Sequence, residues 1–345
     1  MTLVSTITEL LSFVADYTAA VATKVFVHPA GAFSFASIGS ALLLATIFLY
    51  VRHRSRRRRL RLKVLARALL PRRIYKSASA QTDLGFLLFN VFLFSLMFGW
   101  AVLSAQFVAR HAQAGLGFVF GPSTPTALPE AFLMALLTLV LFVAYEFSYW
   151  FEHMLAHKIP FLWEFHKVHH AAESLSPATN ARVHPVDTVV FYNISAICMG
   201  LAAGVFQYGF GMPVKPYTLW HVNAISLLFA FTINHLHHSH VWLAITGFWG
   251  RIILSPAHHQ IHHSNNVMHF DRNFGGSLAV FDWLFGTLHM PSKTREKLVF
   301  GVDGYGEDPH SLKGSMLSPF AHAAARVLPK RETDRAPAIS RNVEA

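Results

Sequence analysis

Long apolar stretches without charged residues dominate the pattern of hydrophobic and polar positions along the chain. Four of them contain no Asp, Glu, Lys or Arg, and their boundaries are Lys24 and Arg52, Asp83 and Arg110, Asp187 and Lys215, and Lys215 and Arg251. A fifth runs from Ala131 to Trp150 and contains only Glu146. A helix that crosses a bilayer needs about 20 mostly apolar residues. The pattern therefore predicts five spanning helices, at about 33–51, 84–108, 130–152, 188–210 and 217–236.

The two ends of the chain have different patterns. Within residues 1–32, apolar residues recur at helical spacing, which predicts an amphipathic helix on the membrane surface. Residues 301–345 form a polar tail, and its last part, from about Arg326, has the composition of a disordered segment. Two blocks lie between these ends: residues 33–129, with the first two spanning helices, and residues 130–300, with the other three.

Composition agrees with a membrane protein and excludes some kinds of metal site. Charged residues make up only 14% of the 345 residues, whereas soluble domains have roughly 25%. The chain contains a single cysteine, Cys198. A disulfide scaffold and a cysteine-ligated zinc or iron–sulfur site are therefore excluded.

The formal net charge of +11 is concentrated in one loop. Residues 52–76 contain 12 of the 29 Lys and Arg residues, including Arg56, Arg57, Arg58 and Arg59. The positive-inside rule predicts that this loop is cytoplasmic and orients the helices around it. Contact with anionic lipids explains the basic run better than a nucleic acid does, because the run follows an uncharged apolar stretch.

Histidines are abundant and grouped. Fifteen of the 22 lie between His153 and His263. Three groups stand out: His153 with His157; His166, His169 and His170 in HKVHH; and His259, His262 and His263 in HQIHH. Spacings of three and four residues place side chains on one side of a helix, so each group resembles a set of metal ligands. Eight neutral imidazoles exceed the ligand shell of one ion, which predicts two metal ions.

The predicted topology brings these groups together. If the basic loop is inside, the third helix runs from outside to inside and delivers His153 and His157 to the cytoplasmic face. The fourth helix leaves and the fifth returns, so the other two groups and the C-terminus are expected on the same face. Imidazole binds iron, copper, zinc or nickel. A lipid substrate offers mostly unactivated C–H bonds, which favours an iron pair that activates dioxygen.

The segments around the histidines match the motifs of a known family. They are residues 146–157, with Glu146 where Asp is usual, the two strings 166–170 and 259–263, and the closing segments NFGG at 273–276 and DWLFGT at 282–287. Over about residues 130–300, the chain resembles the fatty acid hydroxylase and sterol desaturase superfamily of integral-membrane diiron oxygenases.

The resemblance implies an all-helical, cytoplasm-facing site that holds two iron ions, although the purified protein could carry zinc. His238 matches a further family histidine and joins the three groups. The implied ligands are His153, His157, His166, His169, His170, His238, His259, His262 and His263. His184, His235 and His258 are candidates for ligands or for residues that support them.

The resemblance also implies an oxidoreductase that hydroxylates or desaturates a lipid, such as a sterol or a fatty acyl chain, with dioxygen. The sequence shows no fused haem, flavin or ferredoxin motif. A separate electron donor is therefore expected: a cytochrome b5-like protein, a ferredoxin or a pterin.

Two kinds of alternative remain open. Within the superfamily, the closing segments fit an alkylglycerol-ether monooxygenase with a pterin reductant about as well. Outside it, histidines also permit a zinc-dependent membrane hydrolase or a non-catalytic metal- or lipid-binding protein.

Overall fold

Helices form nearly all of the regular structure in the computed structural model, which describes residues 3–55, 57, 61–303, 305 and 308–328. In the described residues, the α-helices are α1 (Leu3–Ala22), α2 (Phe35–Ser55), α3 (Leu62–Leu69), α4 (Arg72–Tyr75), α5 (Ala78–Phe92), α6 (Phe94–Phe98), α7 (Ala105–Phe120), α8 (Glu130–Lys158), α9 (Pro160–His170), α10 (Pro185–Phe210), α11 (Ala224–Phe229), α12 (His235–His237), α13 (Gly247–Gly250), α14 (Pro256–His262), α15 (Val280–Leu284) and α16 (Leu312–Val327). There are also π-helices at Thr23–Val27 and Ala230–Asn234, 3₁₀ helices at Gly99–Ala101, Pro177–Ala181 and Val267–His269, and strands β1 (Thr218–Leu219) and β2 (Val222–Asn223).

Several helices are suited to a bilayer. Four described segments are long and apolar enough to cross it: Ser5–Val27, Phe35–Ser55, Glu130–Lys158 and Pro185–Phe210. A fifth crossing needs Ala78–Phe92 and Phe94–Phe120 together, and this pair is bent by 54°. The 29 residues of α8 reach about 43 Å at 1.5 Å per residue, which exceeds a hydrocarbon core of about 30 Å. The predicted class, an all-helical polytopic membrane protein, is confirmed.

The last predicted span is shorter than expected. Residues 217–236 do not form one helix, because β1 and β2 pair as an antiparallel hairpin before α11 begins. The two residues between the strands, Trp220 and His221, both have positive φ, as a type I′ turn requires. The apolar helical segment that follows covers only Ala224–His237.

The hairpin is fixed to α8 about two turns from the N-terminal end of that helix. The Thr138 hydroxyl accepts a hydrogen bond from the Tyr217 backbone N–H at 2.7 Å, and the Thr138 carbonyl accepts one from Asn223 Nδ2 at 2.8 Å. From there, α11, the π-helix and α12 continue to the histidines that follow. These contacts hold the start of the apolar stretch against α8 as a hairpin.

The two ends of the chain differ from the sequence-based description. Residues 5–27, predicted to lie on the membrane surface, form a helix that is apolar enough to cross it. The predicted polar tail contains α16, which packs against α9. Phe320 contacts Phe165, and Arg326 Nε donates to Glu164 Oε1 at 2.8 Å. Residues 329–345, Arg56, Arg58 and Arg59 lie outside the described residues.

Small residues allow α10 to pack closely on α7. A Cβ atom at Gly200 would lie 2.6 Å from the Ala105 carbonyl oxygen, and one at Gly204 would lie 2.6 Å from that of Ala109. Glycines spaced four residues apart let helix backbones approach each other within a membrane. α10 also packs along α8. The packing of α10 on both helices holds α8, which carries His153 and His157, in place.

Candidate metal centre

Four helices deliver nine predicted histidines to one buried place. They come from the last turns of α8 (His153, His157), from α9 (His166, His169, His170), from the residue after α12 (His238), and from α14 and the residue after it (His259, His262, His263). Eight of them expose at most 6% of their surface, and His157 is half-buried. The structure therefore brings together residues that are more than 100 positions apart in the sequence.

The nine side chains form two groups. In each group, the nearest ligand atoms all lie within 4.8 Å of one another. The first group contains His153, His157, His166, His170 and His262, and the second contains His169, His238, His259 and His263. A cluster of this composition is compatible with a metal site, and its division into two groups provides for two ions.

The distances between ring nitrogens match a metal-ligand shell. In the second group, His238 Nε2 lies 3.1 Å from His169 Nε2, 3.1 Å from His263 Nε2 and 2.9 Å from His259 Nε2. Hydrogen bonds among these four nitrogens would require two rings to carry the proton on Nε2, and in each of those rings the Nδ1 atom would then be the unprotonated nitrogen. Metal–imidazole bonds of about 2.1 Å at right angles place neighbouring ligand nitrogens about 3.0 Å apart. The observed spacing fits such an ion.

The opposite ring nitrogens are anchored to the surrounding protein. Four Nδ1 atoms lie within hydrogen-bond distance of an oxygen. Three of these oxygens are backbone carbonyls: that of Phe274 lies 2.8 Å from His153 Nδ1, that of Arg272 lies 2.8 Å from His262 Nδ1, and that of Arg182 lies 3.2 Å from His169 Nδ1. The fourth is Asp187 Oδ2, which lies 3.0 Å from His166 Nδ1. Since these oxygens are acceptors, each Nδ1 carries the proton and each Nε2 offers a lone pair to the centre.

Among the described residues, the inward Nε2 atoms of His153, His166 and His262 have no hydrogen-bond partner, although all three are buried. Buried polar atoms are normally paired. Unpaired nitrogens that converge on one point are expected where a metal ion supplies the missing partner. The donor set therefore fits the cofactor that the sequence implies.

Burial also keeps the ligands in the protonation state that metal binding requires. Desolvation lowers the pKa of His169 and of His262 to about 3, and the pKa of His263 lies well below its usual value for the same reason. All three rings are therefore neutral at pH 7, and their unprotonated nitrogens are able to bind a cation.

Two buried carboxylates support the backbone around the first group. Glu146 Oε2 accepts hydrogen bonds from the N–H groups of Ser277, at 2.6 Å, and Leu278, at 2.9 Å. Asp282 accepts from the N–H of Phe274, whose carbonyl anchors His153. Glu146, which stands where the family usually has Asp, thus connects α8 to the closing segments.

Three candidate histidines lie outside both groups and have other partners. His184 caps α10, because its Nδ1 accepts from the Val186 N–H at 3.2 Å. His235 Nε2 lies 3.0 Å from Ser37 Oγ on α2. His258 Nδ1 lies 2.7 Å from Ser255 Oγ at the start of α14. Each ring therefore connects helices or caps one in this structure.

Sequence reasoning missed the buried ion pair behind α9. Arg182 Nη1 lies 3.3 Å from Asp83 Oδ1, and both residues are fully buried. Arg182 also donates to the carbonyls of Val168 and Pro309. The signal in the sequence was weak, since Asp83 only marked the start of one apolar stretch and its partner lies 99 residues away.

Comparisons with known proteins agree with this centre. Residues 138–287 match the family model described as fatty acid hydroxylase, and all nine histidines fall within the match. The chain is 29% identical over 224 residues to ornithine lipid hydroxylase OlsE of Rhizobium tropici. The aligned region covers 63% of each of the two chains. It is 29% identical over 161 residues to human alkylglycerol monooxygenase, covering 47% of this chain and 32% of that one.

A third relative is cholesterol 25-hydroxylase-like protein 2 of Danio rerio, with 26% identity over 168 residues, 45% of this chain and 50% of the relative. The matched part thus spans less than two thirds of the length of these curated relatives. No solved structure gives a significant match. Residues 138–287 therefore form a fatty acid hydroxylase domain, and the chain is similar to hydroxylases and monooxygenases of lipids.

Proposed function

We propose that this protein is a membrane oxygenase that hydroxylates or desaturates a lipid with dioxygen, and that the two histidine groups hold one iron ion each. The observation that carries the proposal is the pair of buried all-nitrogen clusters inside a fatty acid hydroxylase domain. The relatives' names add support, because each describes a hydroxylase or monooxygenase of a lipid.

The chain's own residues bind and orient. Nine imidazoles serve as ligands, and backbone carbonyls together with Asp187 hold four of the rings in place. Burial by α8, α9 and α14 limits the access of water to the centre. When bound, an iron pair would activate dioxygen for attack on an unactivated C–H bond. The electrons would come from a separate protein or from a pterin.

A second candidate function is cleavage of an alkylglycerol ether with a pterin reductant. The observation in its favour is that alkylglycerol monooxygenases from four animals match this chain, at 25–29% identity. Lipid analysis of cells with and without the gene separates the candidates. Hydroxylation adds one oxygen to a lipid, desaturation removes two hydrogens, and ether cleavage splits an alkylglycerol into a glycerol and a fatty aldehyde.

The site's orientation is part of the proposal. The centre lies at the end of α8 opposite Glu130, and the basic loop 52–76 is expected to be cytoplasmic. We place the histidine groups and the C-terminus on the cytoplasmic side, where soluble electron donors are available. The lipid substrate enters from the bilayer.

Ligand substitutions test the function. We expect His170→Ala, in the first group, and His263→Ala, in the second, each to abolish turnover and to lower the bound iron by about one ion per chain. The variants should still insert into the membrane. Iron per chain by elemental analysis and lipid products by mass spectrometry are the measurements.

His111→Ala is the matched control, because His111 is exposed on α7 and lies outside the matched domain. It should retain iron and activity. Purified wild-type protein with two zinc ions, no iron and no oxygen consumption would overturn the oxygenase proposal, as would full activity in either ligand variant.

A further inference from the structure

Two cavities of opposite character meet beside the second histidine group. The first, which we call the apolar cavity, has a volume of about 300 Å³ and is bounded by Phe33, Ala41, Ala45, Leu236 and Val241. The second, which we call the polar cavity, has a volume of about 460 Å³. Both volumes are in or near the range of small-molecule sites.

The polar cavity carries positive charge. Arg73 and Arg295 line it together with Ser174 and His310. Its one acidic residue, Glu173, pairs with His310, with Nε2 of the ring 3.2 Å from Oε2. Within the described part of the chain, neither arginine forms a salt bridge. Two guanidinium groups against one carboxylate leave the exposed mouth with a net positive charge, which favours an anionic ligand, since guanidinium groups form charge-assisted hydrogen bonds with phosphate or carboxylate oxygens.

The two cavities share a wall next to the metal centre. Ser239 and His240 line both cavities, and they directly follow His238 of the second group. Gln260, which lines the polar cavity, directly follows His259 and donates from Nε2 to the Val241 carbonyl at 3.0 Å. A molecule that extends across this junction would pass beside the second group.

We propose that one lipid molecule occupies both cavities, with a hydrocarbon chain in the apolar cavity and an anionic headgroup, a phosphate or a carboxylate, in the polar cavity. This inference rests on the proposed function, because it names the class of lipid that the oxygenase binds. The position of the two cavities against the same residues, Ser239 and His240, carries it, since an apolar space next to a cationic one matches an amphipathic anion in charge.

Most of the determinants lie outside the part of the chain that matches the family model. Phe33, Ala41, Ala45, Arg73 and Arg295 all fall outside residues 138–287. The nine histidines thus come from the matched family domain, and most residues proposed to select the lipid lie outside it. Ala41 and Ala45 on α2 are nearly fully buried, and their small side chains leave room for the hydrocarbon chain.

Photo-crosslinking to the iron-loaded full chain tests the inference. The probes are dioleoyl phosphatidic acid and dioleoylglycerol, each with a diazirine in one acyl chain, in detergent with phosphatidylcholine. We expect phosphatidic acid to crosslink within residues 33–45 or 236–241, and millimolar inorganic phosphate not to displace it. Displacement by phosphate, or crosslinks only on outer helix surfaces, would overturn the proposal.

Substitutions separate the two cavities. The double variant Arg73→Ala, Arg295→Ala should weaken phosphatidic acid binding roughly tenfold and leave dioleoylglycerol binding unchanged. Ala45→Phe should weaken binding of both probes, because the ring fills the apolar cavity. Arg67→Ala and Ala36→Phe are the matched controls, as both residues are exposed and line neither cavity.

Iron content and oxygen consumption, measured on the same samples, distinguish this inference from the proposed function. Selective binding in a protein that holds iron but oxidises no lipid would contradict the function alone. Normal lipid oxidation with unchanged probe binding in all cavity variants would contradict the inference alone.

Discussion

At the scale of single residues, the two HxxHH strings divide their side chains between the two groups in the same way. In the first string, His166 and His170 belong to the first group and His169 belongs to the second. In the other string, His259 and His263 belong to the second group and His262 belongs to the first. A helix turns about 100° per residue, so positions i and i+4 point within about 40° of each other while i+3 deviates to the opposite side. The repeated spacing thus lets one face of each helix contribute histidines to both groups.

The contact between Asp187 and His166 leads to a prediction at this scale. Asp187→Asn removes the carboxylate that accepts from His166 Nδ1 at 3.0 Å, so the ring loses its orientation and some basicity. We expect metal affinity or activity to fall 10- to 100-fold, roughly the range for such partners. Iron affinity measured by competition with a chelator checks this.

The control for that variant is Asp16→Asn, because Asp16 is exposed and accepts a hydrogen bond from Ser12 in its own helix, far from the histidines in the sequence. It should bind iron like the wild type. An unchanged iron affinity in Asp187→Asn would show that the carboxylate does not support the ligand.

At the scale of elements, the Asp83–Arg182 pair ties α5 to the segment between α9 and α10. Thr179, in the 3₁₀ helix, donates to Asp83 at 2.6 Å, and Arg182 Nε donates to the Val168 carbonyl on α9 at 2.8 Å. Arg182 also reaches the Pro309 carbonyl, just before α16. One buried cation therefore connects four parts of the chain around the helix that carries three histidines.

Removing one partner of this pair should destabilise the protein strongly. Asp83→Asn leaves the buried Arg182 charge without its counterion, for which the expected loss is about 3–5 kcal/mol in unfolding free energy. Thermal unfolding in detergent checks it. The double variant Asp83→Leu, Arg182→Met removes both charges and should lose less than Asp83→Asn. An equal or larger loss in the double variant would contradict an electrostatic role.

At the scale of the whole molecule, the centre sits at one end of α8, and its sidedness decides which electron donors can reach it. Glu130 and Lys158 lie at the opposite ends of this 29-residue helix. The basic loop between α2 and α5 is expected on the cytoplasmic side. The proposed orientation therefore predicts that Lys158 and the basic loop share a side of the membrane and that Glu130 faces the other.

Cysteine labelling tests this orientation. The chain has one cysteine, Cys198, so a Cys198→Ser background accepts single cysteines at the exposed positions Lys63, Glu130 and Lys158. We expect an impermeant maleimide to reach position 130 in intact cells, and positions 63 and 158 only after the membrane is opened. Labelling of position 158 from outside would contradict the cytoplasmic site.

The sequence by itself determined the helical class, the approximate positions of most apolar helices and the nine histidines that converge. These properties follow from local patterns: apolar runs reflect burial in lipid, and spacings of three and four residues reflect the helical period. The same patterns overestimated the helix at 217–236, because polar contacts of Thr138 with the hairpin are not visible locally.

Only the tertiary structure decided how the histidines divide into two groups, how α16 covers α9 and how the two cavities meet at Ser239 and His240. Each of these depends on contacts between residues far apart in the chain, such as His169 with His238 or Asp83 with Arg182. Local periodicity specifies which face of a helix is buried. It does not specify which distant face packs against it.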